Sequence, residues 1–324
     1  MIRYLTESDV QKLLTMPIAL QAMEEVHTAL AEKRAIDVPR ARIHLPQGTQ
    51  HVLQAAAPEL GYIGFKYYYS RPTGRSFYVH LMRIEEGNLE AIIEAAWMSM
   101  LRTGAASGVA TNYLANPDAS VLGQIGAGYQ SISQLEAVCK VRKIRTVKVF
   151  ARNKDKLVSY CEKMCRMTGV EVRPAENAEA AVRGSHVVNV ITKSSEPVLK
   201  GEWLEPGQHI NAAGSNALTR REIDDATVKK CDVITVDGRG TARNECGDLL
   251  SAVEKGWLRW DHLTEIGEVI AKKAPGRTSA KQITLYESHG MGAQDLWIGA
   301  KAVALSRERG VGTDLPVGNF ALRT

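Results

Sequence analysis

The chain has 324 residues, of which 44% are hydrophobic and 24% charged, and its formal net charge is +5 at pH 7. This length suits two domains better than a single core. The sequence has no apolar run of bilayer length and no dense Lys/Arg run, so we expect no membrane and no nucleic acid as partner. The amino terminus does not resemble a signal peptide, and five scattered cysteines favour reduced thiols without a metal site, which predicts a cytoplasmic enzyme.

The first third of the chain predicts helices followed by short strands. Thr6 and Asp9 have the spacing of a capping pair, and Pro17 opens a run whose apolar residues recur at helical spacing. Short β-branched or aromatic segments then alternate with Gly, Pro and Asn, which predicts an antiparallel meander. The segment WMSMLRTGAASGVATNYLA follows and has a helical pattern rich in small residues.

From about residue 118 the sequence predicts alternating strands and helices, and therefore a mostly parallel sheet covered on both faces. The six apolar strands are ASVLGQIG, RTVKVFA, HVVNVI, QHINAAG, CDVITVD and QITLYES. We predict an α/β fold with a first domain at 1–116 and a dinucleotide-binding domain of Rossmann type at 117–295. The final helix and tail, at 296–324, would return to the first domain and make it discontinuous in sequence.

The most informative local motif is a glycine turn between a strand and a helix. Gly126, Gly128 and Ser131 stand at the spacing G-x-G-x-x-S. Gly126 permits the tight turn, Gly128 lets the backbone approach a pyrophosphate, and a small third residue lets helix and strand pack closely. The helix N-terminus then offers N–H groups to phosphates. The alternative is a strand-to-helix turn that binds nothing.

The residues after the second strand of this domain bear on the choice of cofactor. NAD-specific sites usually place Asp or Glu there, to bond the ribose 2′-hydroxyl. Here the strand ends in Val149-Phe150-Ala151 and is followed by Arg152, Asn153 and Lys154. We therefore predict that NADP(H) is preferred and that NAD(H) is possible; the alternative is a pair of solvated basic residues.

Polar residues follow several other strands, where an open parallel sheet binds its ligands. They are Thr192, Ser215, Asn216, Ser288 and His289. In the first domain, Lys66 lies within the aromatic segment GYIGFKYYY. A lysine that points inward from this segment would need a partner for its buried charge, which would favour a functional role. The alternative is an alternating strand in which Lys66 faces solvent.

Several motifs make the sequence resemble the ornithine cyclodeaminase and mu-crystallin family. They are LRTGAAS from Leu101 to Ser107, IGAGYQ, NAAGSNALTRREID, RNECGD from Arg243 to Asp248, and ITLYESHGMGAQD. The resemblance covers nearly the whole chain. It implies a Rossmann domain joined to a discontinuous α+β domain that binds substrate and forms a homodimer.

The resemblance also implies roles for individual residues. Arg42 resembles the arginine that holds the substrate carboxylate, with Arg40 as the fallback, and Lys66 the substrate-binding lysine. Arg102, beside Thr103, resembles the arginine shared by substrate and cofactor. The positions that match the cofactor site and its nicotinamide end are Tyr129, Gln130, Thr192, Ser215, Asn216, Arg220, Ser288 and His289. We expect Lys66, Arg102 and Asn216 to act in catalysis and His289 to contact substrate.

One departure from the family pattern shapes the functional prediction. Asn216 stands where cyclodeaminases carry an aspartate, and an amide is no general base near neutral pH. Ala151 likewise replaces the acid of the NAD-using cyclodeaminases. We therefore predict an NAD(P)H-dependent reductase of small imino acids, of the ketimine or Δ1-pyrroline-2-carboxylate reductase type. The alternatives are an ornithine cyclodeaminase, an opine-type or amino-acid dehydrogenase, and a protein that only sequesters a small ligand.

Overall fold

The computed structural model describes residues 1–316, so the end of the predicted C-terminal tail lies outside the described residues. The chain divides into two compact units. The first unit comprises Met1–Arg102 and the chain from Met291 onward, and the second unit comprises Thr103–Gly290. The divisions therefore fall inside one long helix and just before another, ahead of the predicted boundaries at 116/117 and 295/296.

Strands and helices follow each other in the predicted general order. The strands are β1 (Ile2–Leu5), β2 (Ile36–Leu45), β3 (Gly48–Ala57), β4 (Tyr62–Arg71), β5 (Gly74–Arg83), β6 (Leu89–Glu94), β7 (Val121–Ile125), β8 (Thr146–Phe150), β9 (Glu171–Pro174), β10 (Val187–Val190), β11 (His209–Ala212), β12 (Val233–Val236), β13 (Thr264–Glu265), β14 (Thr284–Glu287) and β15 (Thr313–Leu315). The α-helices are α1 (Glu7–Leu13), α2 (Met16–Ala31), α3 (Ala96–Leu114), α4 (Tyr129–Val141), α5 (Lys154–Thr168), α6 (Ala178–Val182), α7 (Asp225–Lys230), α8 (Arg239–Glu245), α9 (Gly247–Glu254), α10 (Ile266–Ile270) and α11 (Gly292–Glu308).

The first unit is built on a seven-stranded sheet in the order β15-β1-β6-β5-β4-β3-β2. Strands β2 to β6 pair antiparallel with their neighbours in sequence, which confirms the predicted meander. Strands β1 and β15 were not predicted; they are short and pair at the other end of the sheet. The predicted capping pair is confirmed, because Thr6 and Asp9 form a reciprocal capping box at the start of α1.

The strand β4 shows why Lys66 points inward. Its side chains alternate between faces, and Tyr62, Lys66 and Tyr68 are buried on the same face. Gly64 lies on that face too, where an added Cβ would come within 3.0 Å of Leu296 on α11. The interpretation of Lys66 as a solvent-facing strand residue is therefore wrong: the lysine is 2% exposed.

The second unit is built on an eight-stranded parallel sheet in the order β13-β12-β14-β11-β10-β7-β8-β9. The six predicted strands are all present, and the prediction missed β9 and β13. Both have few residues to carry a pattern: β9 is mostly exposed, and β13 has two residues. Helices α4 and α5 cover part of the sheet, with Leu135 and Leu157 packed in one apolar cluster with Val147.

The strand order fixes where this sheet can bind a ligand. From β7 the chain proceeds to β8 and β9 on one side, and then to β10 and β11 on the other. The order thus reverses beside β7, and ligands of open parallel sheets bind at the carboxyl ends of the strands at such a point. The predicted glycine turn follows β7 directly. In the described part of the chain, no helix is both long and apolar enough to cross a membrane.

Candidate active site

The glycine turn after β7 has the backbone geometry of a dinucleotide cradle. Gly126 has a φ of +116°, and a Cβ there would lie 2.3 Å from the carbonyl oxygen of Ile191. Gly128 has an ordinary φ of −87°, and apart from Gly128 itself and its two chain neighbours no described residue has an atom within 4 Å of where its Cβ would be. Gly128 is the N-cap residue of α4 and makes no side-chain cap hydrogen bond in the described structure. The turn therefore leaves open backbone at a helix N-terminus, as a pyrophosphate requires.

Ser131 fills the third small position of the turn. It is fully buried, and its Oγ donates to the carbonyl of Gly128 at 2.5 Å. The same oxygen lies 3.1 Å from the hydroxyl of Tyr160, to which Gln124 Nε2 donates at 2.8 Å. A serine therefore replaces the third glycine without loss of close packing, because its hydroxyl bonds within the turn.

Gln124 is the last member of a row of buried polar side chains that crosses the parallel sheet. Asn211 Nδ2 donates to Asn189 Oδ1 at 2.9 Å, and Asn189 Nδ2 donates to Gln124 Oε1 at 3.4 Å. At the other end, His209 Nε2 lies 3.0 Å from Asn211 Oδ1, and Nδ1 lies 2.9 Å from Thr284 Oγ1. Burial lowers the pKa of His209 to about 3, so its ring is neutral. Because Asn211 Oδ1 only accepts, we assign the proton to Nε2, which makes every bond from His209 to Gln124 point toward the glycine turn. We call the side chains of His209, Asn211, Asn189 and Gln124 together the amide chain.

Thr192, at the end of β10, binds a buried glutamate that was not predicted. Its N–H and Oγ1 both donate to Glu222 Oε1, at 2.5 and 2.6 Å. The N–H of Glu222 donates to Asp248 at 2.5 Å. Burial raises the pKa of Glu222 to about 7. Gly214 is required beside them, because a Cβ there would lie 2.4 Å from the backbone nitrogen of Thr192 and 2.5 Å from its carbonyl oxygen.

The predicted residue His289 lies in a cluster of buried acids. Its Nδ1 is 3.5 Å from Asp237 Oδ1, and its Nε2 is 3.9 Å from Glu287 Oε2. Asp237 also accepts from the N–H groups of His289 and Gly290, each at 2.7 Å, which joins the ends of β12 and β14. Burial opposes ionisation of Asp237, but these bonds and the histidine outweigh it and lower its pKa.

Part of this cluster consists of residue types that bind metal ions. The ligand atoms of Cys246, Glu287 and His289 lie within 4.8 Å of one another. Burial raises the pKa of the Cys246 thiol and of the Glu287 carboxyl well above their ordinary values. Metal ligands must be deprotonated, so a metal ion bound here would have to displace the proton of the thiol and that of the carboxyl.

The remaining predicted cofactor residues follow strands of this sheet in sequence, except Thr103, which lies on α3. Ser215 and Ser288 are buried, whereas Asn216 and Arg220 are half-buried. The other predicted contacts with the cofactor are Thr103, which accepts from Gln134 through its carbonyl, the half-buried Gln130, and the exposed Tyr129 and Arg152.

In the first unit, two of the predicted basic residues, Lys66 and Arg102, contact the carboxylate of Asp295. Lys66 Nζ lies 2.6 Å from Asp295 Oδ2, and Arg102 Nε lies 3.0 Å from Asp295 Oδ1. Arg102 Nη1 donates to Gln294 Oε1 at 2.9 Å, and Gln294 in turn contacts His27 at 3.1 Å. Burial, followed by the charge of Arg102, lowers the pKa of Lys66 to about 7, although Asp295 raises it. Two buried cations and one carboxylate carry a net positive charge, which suits an anionic substrate.

The two candidate carboxylate arginines lie at different depths. Arg40 is 8% exposed and its Nη1 donates to the hydroxyl of Tyr68 at 3.2 Å. The Tyr68 ring also faces Lys66 Nζ, 5.9 Å from its centroid. Arg42 is half-buried and pairs across the sheet with His51, which stacks on Tyr68. Arg40, which the sequence analysis gave as the fallback for Arg42, thus contacts the same tyrosine, Tyr68, as Lys66 does.

Sequence reasoning missed Asp295 and Glu222, although both belong to motifs that carried the resemblance. Asp295 ends ITLYESHGMGAQD, and Glu222 lies within NAAGSNALTRREID. Asp295 carried a usable signal, because it is an acid between glycine-rich and apolar sequence, where an ionisable side chain needs a partner. Glu222 stands among charged residues and carried no such signal.

The family of the chain follows from comparison with known proteins. The sequence profile of the ornithine cyclodeaminase/mu-crystallin family matches residues 3–306. The chain belongs to this family. The alanine dehydrogenase of Archaeoglobus fulgidus is 37% identical over 321 residues, which cover 94% of this chain and 96% of that protein.

Two solved structures of the ornithine cyclodeaminase/mu-crystallin family match the fold over most of their length. The Δ1-pyrroline-2-carboxylate reductase of Thermococcus litoralis, in complex with NADH and L-proline, has a TM-score of 0.93 at 31% identity and covers 97% of this chain and 100% of its own. An archaeal alanine dehydrogenase dimer with bound NAD has a TM-score of 0.91 at 32% identity, with coverages of 96% and 98%. The predicted family, the α/β fold with a Rossmann-type sheet, and the enzyme class, an NAD(P)-dependent oxidoreductase of C=N or CH–NH bonds, are confirmed.

Proposed function

We propose that the chain is an NAD(P)H-dependent reductase of small imino acids, with Δ1-pyrroline-2-carboxylate as the first substrate to test. The observation that carries this proposal is the buried group of Lys66, Arg102 and Asp295 in the first unit. Its net positive charge suits a substrate with one carboxylate, and its lysine is able to donate a proton near neutral pH. A reductase of imino acids needs both functions.

The chain's own residues divide these tasks. Arg102 and Arg40, with Arg42 as the alternative, hold the substrate carboxylate, since a guanidinium binds a carboxylate through two parallel hydrogen bonds. Lys66 donates the proton that the imine nitrogen gains. A bound NAD(P)H supplies the hydride. Asn216 orients the substrate or the cofactor amide by hydrogen bonding, because an amide is no base in this pH range.

The cofactor proposal rests on the glycine turn and on the residues after β8. Open backbone at Gly128 and the N-terminus of α4 fit a pyrophosphate. Ala151 leaves no carboxylate at the end of β8, and the exposed Arg152 follows it, so we propose that NADP(H) is preferred to NAD(H). Thr192, Ser215, Arg220, Ser288 and His289 are proposed for the nicotinamide end, with His289 nearest the substrate.

We also propose that the working form is a homodimer located in the cytoplasm. Strand β2 is an edge strand of the seven-stranded sheet. It exposes large apolar side chains, Ile36 at 58%, Ile43 at 59% and Leu45 at 53%. An exposed apolar edge strand of this length tends to be covered by a partner. Light scattering of the purified protein tests this, and a monomer at micromolar concentration contradicts it.

The test of function is absorbance at 340 nm with NADPH and NADH, each against Δ1-pyrroline-2-carboxylate. Oxidation that is faster with NADPH supports the proposal, and a Lys66→Met protein should lose most of it. A Lys12→Met protein is the matched control, since Lys12 is exposed in the last turn of α1, whereas Lys66 is buried. Failure to oxidise either cofactor contradicts this substrate assignment.

A second candidate is an amino-acid dehydrogenase, favoured by the 37% identity to an alanine dehydrogenase. Pyruvate with ammonium replaces the cyclic imine in the same assay and distinguishes the two candidates. Ammonia release from ornithine, without net change in the cofactor, identifies a cyclodeaminase instead. Asn216 in place of the aspartate argues against that outcome.

A further inference from the structure

Asp295 is shared by the two buried basic side chains on which the proposed function rests. One carboxylate oxygen lies 2.6 Å from Lys66 Nζ and the other 3.0 Å from Arg102 Nε. We propose that Asp295 is a positioning residue that sets the charge of Lys66 and thereby the pH range in which the site protonates its substrate. This inference rests on the proposed function for its catalytic consequence, but not for the interaction itself.

Charged groups from three other elements act on Lys66, while β3 and β5 pair it with the uncharged Leu53 and Val79. Arg40 projects from β2, Arg102 from α3 and Asp295 from α11, while the ring of Tyr68 lies on the same strand. Burial and the two arginines favour the neutral amine, and Asp295 alone among these groups favours the ammonium form. The balance leaves the pKa of Lys66 at about 7. A lysine without the carboxylate would lose its proton at lower pH.

The carboxylate is held in place by its own helix. Asp295 lies in the first turn of α11. Arg102 Nη1 donates a hydrogen bond of 2.9 Å to Oε1 of the preceding residue, Gln294. Adjacent residues thus bind two nitrogens of one guanidinium and fix its plane. The N–H of Ala293 donates to Asp37 on β2 at 2.8 Å, which ties this turn to the sheet. The carboxylate therefore faces Lys66 at a set distance instead of sampling several rotamers.

The proposed reduction adds one proton and one hydride to the C=N bond and requires no further reagent. One N–H bond of the Lys66 ammonium breaks as an N–H bond forms at the imine nitrogen, and the imine carbon takes a hydride with its two electrons from the reduced nicotinamide. Lys66 then regains a proton from solvent. Asp295 gains and loses no bond in these steps, which is why its removal changes the proton affinity of Lys66 and not the sequence of steps.

The experiment measures the charge of Lys66 directly in the protein without cofactor. Protein labelled with ¹³Cε-lysine is titrated by NMR, and the signal of Lys66 is assigned by its loss in Lys66→Arg. In Asp295→Asn, which keeps the shape and removes the charge, the midpoint should fall by about 1–3 pH units. Asp295→Glu retains a carboxylate and should keep the midpoint near that of the wild type. Asp295→Ser is the second neutral variant if Asp295→Asn does not fold.

Turnover supplies the second readout. The alkaline fall in kcat/KM, where Lys66 loses its proton, should move to lower pH in Asp295→Asn by the same amount. At a pH above both midpoints the loss is then about 10- to 1000-fold, and it shrinks at acid pH. An unchanged NMR midpoint, or a rate loss that is the same at every pH, overturns the proposal and leaves Asp295 a structural role. If the wild type reduces no imino acid, the proposed function fails while the NMR titration still decides the role of Asp295.

Discussion

The open backbone at Gly128 predicts a substitution that separates cofactor binding from folding. In Gly128→Ala the new Cβ meets no described residue beyond its two chain neighbours within 4 Å, and the φ of −87° is ordinary for alanine. We therefore expect the free energy of unfolding of the cofactor-free protein to change by less than about 1 kcal/mol. If the pyrophosphate approaches this backbone, the methyl group displaces it and costs at least one hydrogen bond to a charged group, about 1.5–3 kcal/mol. Cofactor affinity should then fall by roughly 10- to 150-fold.

Gly126→Ala is the matched control for this prediction. Its Cβ would lie 2.3 Å from the Ile191 carbonyl, at a φ of +116°, so the backbone must move and the protein should lose about 2–6 kcal/mol of stability. Urea unfolding of both cofactor-free variants, and NADPH titration followed by energy transfer from tryptophan, measure the two effects. A Gly128→Ala protein that binds NADPH as well as the wild type refutes the assignment of the turn.

Three further predictions use other parts of the second unit. Ala151→Asp should shift the ratio of kcat/KM toward NADH by at least about tenfold, measured with both cofactors, because the carboxylate repels a 2′-phosphate and binds a ribose hydroxyl. Burial raises the pKa of Glu222 from 4.5 to about 7. The contribution of Glu222 to the free energy of unfolding is therefore complete below pH 4.5 and is lost as the pH rises through 7. Thermal melts of Glu222→Gln should then depend less on pH between 5 and 8 than those of the wild type. Asn211→Leu interrupts the amide chain and should weaken NADPH binding beyond its effect on the melting temperature, whereas Thr111→Val, which removes only a side branch to Asn211, should not.

The Rossmann-type sheet and its turn could be predicted because the signals are local. Each central strand is an apolar run bounded by polar or glycine residues, and Gly126, Gly128 and Ser131 stand within six residues of one another. The capping pair at Thr6 was predictable for the same reason. Short strands such as β13 carry too few residues for any pattern, and they exist because a neighbouring strand offers hydrogen-bonding partners.

The first-unit site depended on contacts that no local pattern encodes. Arg102 and Asp295 are separated by 193 residues in sequence, and only the return of α11 to the sheet brings them together. The different burial of Arg40 and Arg42 could not be predicted from strand alternation, because the register of β2 with β3 shifts between Val38 and Ala41. Sequence by itself determined which side chains could carry the chemistry. Tertiary structure decided their charge, because the proton affinity of a buried lysine depends on the neighbours that packing places around it.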